Sequence, residues 1–268
     1  MAVPILQIDA FTAAPFRGNP AAVCLLDAPA DPSWMQQVAA EMNLAETAFV
    51  VPDGDRFGLR WFTPEVEVAL CGHATLASAH ALWETGRVPA GRDILFETLS
   101  GTLGAVRDGD RIAIELPSRP VAPADPPAAL IVALGAAPRA TFATVAGGTG
   151  AHPNYLLEYG SVDEVTALRP DFARLRGVPG GVIVTARGTG RYDFVSRFFA
   201  APYGVDEDPV TGSAHCSLAP FWADRLGKTT LLAWQASKRG GELGVTLRGD
   251  RVRLAGHAVT VLRGELVA

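Results

Sequence analysis

The sequence predicts an α+β protein in which an antiparallel or mixed sheet wraps a central helix, and in which this unit occurs twice. The first observation is a repeated pattern: residues 60–83 read RWFTPEVEVALCGHATLASAHALW, and residues 197–222 read RFFAAPYGVDEDPVTGSAHCSLAPFW. Each copy runs from an aromatic strand through a proline and an acidic loop into an apolar helix. The second observation is that many short strand patterns accompany one long helix pattern in each half. Because the copies stand half a chain apart, the repeat is one of whole domains.

The elements of the first half are predicted by periodicity and residue type. The turn at residues 17–20 separates the first two strands, since Gly18 permits a positive φ there and Pro20 stiffens the exit. Pro32–Met42 has helical spacing behind an opening proline. Alternation, or enrichment in β-branched and aromatic residues, predicts strands at residues 5–11, 21–26, 47–51 and 57–62.

The second half repeats this order behind the proline-dense stretch 117–127, which we predict to be the linker. The predicted domains are therefore residues 1–118 and 119–268, with the extreme C-terminus free to pack on the N-terminal lobe. Strands are predicted at residues 141–145, 155–158, 182–185, 193–199, 243–247, 252–254 and 258–262.

Composition excludes several classes of function. A net charge of −5, without a basic run longer than two residues, does not suit nucleic-acid binding. The N-terminus lacks the features of a signal peptide, and no apolar window approaches the length of a membrane span. The three cysteines, Cys24, Cys71 and Cys216, show no CxxC spacing. We therefore expect reduced thiols in a cytoplasmic protein, and no metal site.

In both copies of the repeat, an acidic loop leads into the N-terminus of a helix. Cys71 and Gly72 open the first helix; Thr211, as a predicted N-cap, and Gly212 open the second, in which Pro220 predicts a kink. Helix N-termini offer unpaired amide donors and a partial positive charge, so two of them suit a carboxylate or a developing oxyanion between the halves. Two ordinary helix starts are the alternative.

Glu46 is the candidate for proton transfer, because apolar neighbours raise the pKa of a carboxylate toward neutrality. A surface carboxylate at a strand end is the alternative. The matching stretch of the second half, residues 178–182, carries no acid. Proton transfer by an acid at this position is therefore predicted for the first half of the chain and not for the second.

Further polar candidates surround the two helix starts. His73 lies in the first helical turn, where the dipole lowers its pKa and favours the neutral donor form; a buried structural histidine is the alternative. Asp208 either caps its helix or orients His73 or substrate, while Asp206 and Glu207 are expected to be solvated. Ser213 either donates a hydrogen bond to a ligand or caps the helix.

A cysteine racemase is a weaker interpretation. Cys71 would need a base, and a histidine two residues further along seldom reaches the neighbouring sulfur. The matching place in the second half, residues 209–211, contains no cysteine. We therefore expect activity to be insensitive to alkylation at Cys71.

Five blocks of the sequence resemble the signatures of the PhzF, or phenazine-biosynthesis-like, family, and together they extend along essentially the whole chain. They are residues 16–23 (FRGNPAAV), 43–49 (NLAETAF), 60–64 (RWFTP), 71–75 (CGHAT) and 207–214 (EDPVTGSA). The resemblance implies the diaminopimelate-epimerase-like fold: two pseudo-symmetric lobes, each a barrel-like sheet around a central helix, with the active site in the cleft. It also implies a homodimer that uses neither a metal nor an organic cofactor.

The resemblance also implies the chemistry. Glu46 matches a glutamate that moves a proton within a dihydro-hydroxyanthranilate, and His73 and Asp208 match polar residues around it. One departure is Ala69, where relatives often have an acid; Glu67 is the candidate to compensate. Contacts to the substrate are predicted for Asn19, Gly72, Ala74, Thr211, Gly212 and Ser213.

The predicted function is a cofactor-independent isomerase that moves a proton within a small carboxylate-bearing substrate. Glu46, His73 and Asp208 are the predicted catalytic residues. The alternative is a non-catalytic PhzF-like module that binds a small molecule or a protein.

Overall fold

The computed structural model describes residues 2–145 and 152–267. Contacts divide the chain into unit 1, Met1–Leu116 with Leu254–Ala268, and unit 2, Pro117–Arg253. The last segment belongs to unit 1, as the prediction for the extreme C-terminus allowed, and its strand pairs with the first strand of the chain. In the ranges described, no helix combines the length and the apolar character needed to span a membrane.

Strands and short helices alternate along the chain. The strands are β1 (Val3–Ala10), β2 (Asn19–Leu25), β3 (Glu46–Asp53), β4 (Arg56–Phe62), β5 (Glu67–Val68), β6 (Ile94–Thr98), β7 (Gly101–Asp108), β8 (Arg111–Pro117), β9 (Val121–Pro123), β10 (Ala140–Thr144), β11 (Tyr155–Glu158), β12 (Val182–Arg187), β13 (Phe194–Ala200), β14 (Val205–Asp208), β15 (Thr230–Gln235), β16 (Gly241–Arg248), β17 (Arg251–Gly256) and β18 (Ala258–Leu266). The helices are α1 (Pro32–Met42), α2 (Gly72–Glu84), α3 (Ala128–Leu134), α4 (Val162–Ala167), α5 (Phe172–Leu175) and α6 (Gly212–Leu226).

Unit 1 is a mixed sheet that wraps α2. The strand order is β18, β1, β2, β3, β4, β6, β7, β8, with β2–β3 and β4–β6 parallel and the other pairs antiparallel. The short strand β5 also pairs with β4. Helix α2 contacts β1, β2, β3, β7 and β18, so it lies inside the curve of the sheet, and it is buried along most of its length.

Unit 2 repeats this connectivity. Its order is β9, β10, β11, β12, β13, β15, β16, with β11–β12 and β13–β15 parallel, and β14 pairs with β13 as β5 pairs with β4. Helix α6 takes the place of α2 between β14 and β15 and packs on β15 and β16. The predicted repeat of whole domains is confirmed.

An arginine–glutamate clasp occurs at the same place in both units. Arg60 on β4 binds both carboxylate oxygens of Glu67 on β5, at 2.7 and 2.8 Å. Arg197 on β13 binds Glu207 on β14 in the same way, at 2.7 and 3.0 Å. The expectation that Glu207 is solvated is therefore wrong: an arginine–carboxylate fork holds the strand that leads to each long helix.

The same clasp includes an aromatic ring in each unit. The Arg60 guanidinium lies 5.2 Å from the ring centroid of Phe62, and the Arg197 guanidinium lies 4.8 Å from that of Phe199. Both arrangements are within the range of cation–π attraction. Because the charge pair and the ring recur together, Arg60 and Arg197 fix which residues of the two units correspond.

Two expectations concern prolines, and one of them needs correction. The stretch 117–127 is not a plain linker, because β9 lies within it and pairs with β10. Helix α6 continues through Pro220 to Leu226. Proline has no amide hydrogen for the Cys216 carbonyl, and the backbone N–H of Arg119 supplies that hydrogen bond instead, at 3.0 Å. The predicted kink stays a prediction.

Candidate active site

Parallel pairing and the start of α2 bring four polar residues together in unit 1. Asn19 is the first residue of β2 and Glu46 the first of β3, and Ala21 pairs with Glu46, so both side chains begin at one edge of the sheet. Cys71 is the N-cap of α2, and His73 lies in its first turn. We call Asn19, Glu46, Cys71 and His73 the Glu46 cluster.

The His73 ring is the centre of the cluster. Asn19 Nδ2 lies 3.1 Å from His73 Nδ1, and Cys71 Sγ lies 3.5 Å from the same nitrogen. On the other side of the ring, His73 Nε2 lies 3.3 Å from Glu46 Oε2. This contact is a close approach and does not meet the geometry of a hydrogen bond at Nε2.

Burial decides the charge of His73. Removal from water lowers the pKa of this ring to about 3, so the imidazole is neutral near pH 7. The predicted direction of the shift is right, and its cause is burial. Since the Asn19 amide donates to Nδ1, the neutral ring carries its proton on Nε2, the nitrogen that faces the Glu46 carboxylate.

Glu46 keeps access to solvent while His73 does not. The Glu46 side chain is 20% exposed and the His73 side chain 4%. A carboxylate in this position has one face against protein and another open to a small molecule. This placement suits a group that exchanges a proton with a bound ligand, and it differs from the fully solvated carboxylate of the alternative interpretation.

The counterpart of Glu46 in unit 2 is Gly181. In unit 1, Thr47 pairs with Phe62 of the clasp, and in unit 2, Val182 pairs with Phe199. The residues that precede them are Glu46 and Gly181. A Cβ at Gly181 would lie 2.4 Å from the Phe198 ring, so a side chain at this position would require that ring to move. Unit 2 therefore has no acid at the position that corresponds to Glu46, and one-sided proton chemistry stays a prediction.

The contact between the Cys71 sulfur and the His73 ring corrects a prediction from the sequence. The sequence spacing suggested that the His73 ring would not meet the sulfur, yet Sγ and Nδ1 are 3.5 Å apart. The cause is the backbone of Cys71, which is extended (φ −141°, ψ 109°) just before the helix begins. The counterpart N-cap in unit 2 is Thr211, so a second thiol is absent from that position, as predicted.

The start of α6 gathers a second set of polar residues. Thr211 is the N-cap residue, as predicted, but its hydroxyl donates to Asp208 Oδ2 at 2.5 Å and caps no helix amide. Its backbone N–H donates to Gln235 Oε1 at 2.8 Å, and Gln235 Nε2 donates to the Asp208 carbonyl at 2.8 Å. Sequence reasoning missed Gln235, a fully buried amide at the end of β15.

The remaining predicted site residues lie where their motifs suggest. Gly72 and Ala74 are buried in the first turn of α2; Gly212 is buried and Ser213 half-buried in that of α6. Glu67 does not compensate for Ala69, because Arg60 holds its carboxylate. Asp206, expected to be solvated, is half-exposed and pairs with Arg176. That Asp208 and Glu46 serve one cleft stays a prediction.

A strained loop precedes Asn19. Phe11 and Phe16 both have positive φ, 62° and 67°, which is uncommon for aromatic residues. The buried Asp9 carboxylate accepts a hydrogen bond from the Phe16 amide at 2.6 Å. Gly18 is required here, since its φ is 63° and a Cβ would lie 2.1 Å from the Ala10 carbonyl oxygen. The loop therefore fixes where β2, and with it Asn19, begins.

Comparisons with known proteins agree on one family. A family model described as "Phenazine biosynthesis-like protein" matches residues 8–264. A protein of Halalkalibacterium halodurans named an uncharacterized isomerase is 49% identical, over 100% of this chain and 99% of that protein. The crystal structure of a PhzF family protein from Enterococcus faecalis is 37% identical, with a TM-score of 0.92 and full coverage of both chains.

A more distant structure shares the fold. The hydroxyproline epimerase of Agrobacterium vitis is 13% identical, with a TM-score of 0.67 over 99% of this chain and 92% of that chain. The predicted α+β, epimerase-like fold is therefore confirmed. Since the family model and the relatives cover the chain nearly from end to end, this chain belongs to the family of phenazine biosynthesis-like proteins.

Proposed function

We propose that this protein is a cofactor-independent isomerase in which Glu46 moves a proton within a small carboxylate-bearing substrate. The observation that carries the proposal is the pair of Glu46 and His73. A partly exposed carboxylate lies 3.3 Å from a buried imidazole that is neutral near pH 7. Its counterpart in the other unit is Gly181, where the Phe198 ring takes the space that a side chain would need.

Glu46 acts as the base and then as the acid. Its carboxylate takes a proton from a carbon next to an activating group, and the protonated Glu46 returns that proton at another carbon of the same molecule. The bond that breaks is a C–H bond and the bond that finally forms is a C–H bond, so no oxidant or second substrate is consumed. Such a transfer requires only that both carbons come within reach of one carboxyl group.

His73 acts through Glu46 as a positioning residue. A ring with a pKa of about 3 does not accept a proton at neutral pH, so His73 is not the base. Its Nε2–H faces Glu46 Oε2 and orients the carboxylate, while Asn19 holds the other nitrogen. Asn19, predicted to contact substrate, is thus proposed to set the tautomer of His73.

The start of α2 supplies positive potential beside Glu46. The amides of its first turn, Gly72 to Ala74, have no intrahelical acceptor and carry the positive end of the helix dipole. Negative charge that develops on the substrate after proton removal would be stabilised there. The predicted roles of Asp208, Thr211, Gly212 and Ser213 in holding the substrate stay predictions.

The names of similar proteins support the general class. Relatives that are 49% and 51% identical, from Halalkalibacterium halodurans and Pseudomonas aeruginosa, are both named uncharacterized isomerases. At this level of identity over nearly full length, the fold is shared. We also propose a homodimer, on the family resemblance, and a cytoplasmic location, on the three cysteines without CxxC spacing. Light scattering after size-exclusion chromatography tests the dimer.

Exchange of substrate protons with solvent deuterium tests the proposal. The protein is incubated in D₂O with a panel of small carboxylic acids, and deuterium incorporation is followed by NMR. Glu46→Gln should abolish exchange while preserving the fold; Glu41→Gln, an exposed glutamate on α1, is the matched control and should exchange normally. Exchange that is unchanged in Glu46→Gln would refute the role of Glu46. Binding without exchange would favour the non-catalytic alternative.

A further inference from the structure

Three different metal-binding groups meet in the Glu46 cluster. Glu46, Cys71 and His73 each offer one ligand atom, and these atoms all lie within 4.8 Å of one another. A thiolate, an imidazole and a carboxylate are ligands that Zn²⁺ accepts, and three protein ligands with an open position are typical of zinc sites that also bind small molecules. We propose that these three side chains bind one Zn²⁺ ion per chain and that the ion inhibits the protein by occupying Glu46. The inhibition, but not the binding, rests on the proposed function.

Two distances in the cluster have the lengths expected between ligands of a tetrahedral zinc site. Bonds of about 2.3 Å to sulfur and about 2.0–2.1 Å to nitrogen and oxygen place sulfur and nitrogen ~3.5 Å apart, and nitrogen and oxygen ~3.3 Å apart. The observed values are 3.5 Å for Cys71 Sγ to His73 Nδ1 and 3.3 Å for His73 Nε2 to Glu46 Oε2. They involve different ring nitrogens, and one ion uses only one of them.

Nε2 is the nitrogen that the geometry favours. Asn19 lies against Nδ1, whereas Nε2 faces the carboxylate. When zinc binds at Nε2, the ring proton moves to Nδ1, and half a turn of the Asn19 amide presents Oδ1 to accept it. The Cys71 sulfur lies 3.5 Å from Nδ1, so it has to move toward Nε2 by rotation about its Cα–Cβ bond when the ion binds.

The charges of the ligands balance the ion. On coordination, the Cys71 thiol releases its proton to solvent, and Glu46 binds as the carboxylate. One thiolate and one carboxylate then offset the double charge of zinc, so that the half-buried site carries no net charge. This matters because an uncompensated charge is costly away from water. His73 contributes a neutral nitrogen and needs no proton removed from an imidazolium.

Cobalt binding tests the site without any substrate. Co²⁺ is added to the full-length, chelator-treated protein, and a thiolate-to-cobalt absorption band is measured together with the stoichiometry. The band is expected at one ion per chain and should be lost in Cys71→Ala. Cys24→Ala and Cys216→Ala are matched controls, since these thiols lie in the buried core, and both should retain the band.

Zinc should displace cobalt and remove the band. A band that persists in Cys71→Ala, or no band in the wild-type protein, would overturn the proposal. Glu46→Gln and His73→Gln should each weaken binding; unchanged binding in either variant would overturn the assignment of that ligand.

The two proposals fail separately. If cobalt binds through Cys71 but no substrate proton ever exchanges, the zinc site stands and the isomerase does not. If exchange depends on Glu46 but metal does not bind, the isomerase stands and the zinc site does not. With both in place, Zn²⁺ should abolish deuterium exchange and a chelator should restore it.

Discussion

Asn19 donates a side-chain hydrogen bond to Nδ1 of His73 at 3.1 Å, and both side chains are buried. This contact leaves the proton of the neutral ring on Nε2, opposite Glu46. The preceding loop, with its two left-handed phenylalanines, holds Asn19 in place. The tautomer of a ring in α2 is therefore determined by the first residue of β2.

Asn19→Ala should lower turnover roughly 10- to 100-fold, as is typical when a group that orients a functional imidazole is removed. Without the donor, either nitrogen of His73 can carry the proton, and Glu46 loses its fixed partner. The ¹⁵N shifts of the His73 ring should change from the Nε2–H pattern to a mixture. Asn19→Asp places a carboxylate at this position, which accepts a hydrogen bond from Nδ1–H instead of donating one. This variant should therefore invert the pattern. Unaltered shifts in both variants would contradict this role.

Glu207→Gln should destabilise the protein by about 3 kcal/mol, because it leaves a buried guanidinium without its counter-charge. The Arg197 side chain is only 9% exposed. The equivalent change Glu67→Gln should cost about 1 kcal/mol or less, since the Arg60 side chain is 36% exposed and water can solvate it. Urea unfolding of both variants measures the difference. Equal losses would show that burial does not distinguish the two clasps.

Pro220→Ala should change stability by less than about 1 kcal/mol, although an interior proline usually costs a helix ~3 kcal/mol. The reason is that the Arg119 amide already satisfies the Cys216 carbonyl. The amide hydrogen that the substitution introduces would compete with Arg119 for that acceptor, and one of the two donors would need another partner. Thermal unfolding checks this expectation. A gain of several kcal/mol would mean that the Arg119 contact contributes little.

Buried histidines should limit stability in acid. Burial lowers the pKa of His215 from 6.5 to about 4, and the ring Nδ1–H donates to the Thr211 carbonyl at 2.8 Å. The pKa of His215 is lower in the folded state than in the unfolded state. The contribution of the neutral, buried ring to stability is therefore complete above pH 6.5 and is lost as the pH falls from 6.5 toward 4. The full loss is about 3 kcal/mol.

His215→Asn keeps a donor at the position of Nδ1 but does not titrate. Its free energy of unfolding should therefore fall less between pH 6.5 and 4 than that of the wild type. His152→Asn, at an exposed position, is the control and should follow the wild-type curve. A wild-type slope in His215→Asn would contradict the assignment.

Local patterns in the sequence predicted most of the elements that surround the site. The strands that begin at Asn19 and Glu46 are rich in β-branched or small apolar residues, and both helix starts carry glycine, so local physics is enough to place them. Residues 94–117 were not assigned, yet they form β6, β7 and β8. These strands form two consecutive hairpins, β6–β7 and β7–β8, so their pairing is local, and the turns at residues 99–100 and 109–110 are the signal for it.

Within the site, residue types were easier to predict than contacts. Glu46 and His73 were identified because a carboxylate among apolar residues and a histidine at a helix start are unusual. The contacts of Cys71 and Gln235 were missed. The first depends on one extended backbone residue before α2, and the second on a buried strand end 24 residues from Thr211. Neither is encoded in the spacing of nearby residues.

The Phe198 ring that fills the space beside Gly181 has a stereochemical consequence. An epimerase with two opposed acid–base groups removes a proton from one face of a carbon and delivers another to the opposite face, which inverts the centre. Since the Phe198 ring takes the space of a side chain at Gly181, the proposed function has one such group, Glu46, which should return the proton to the face from which it came. Migration on a single face, with part of the original hydrogen retained in the product, is the outcome that we expect.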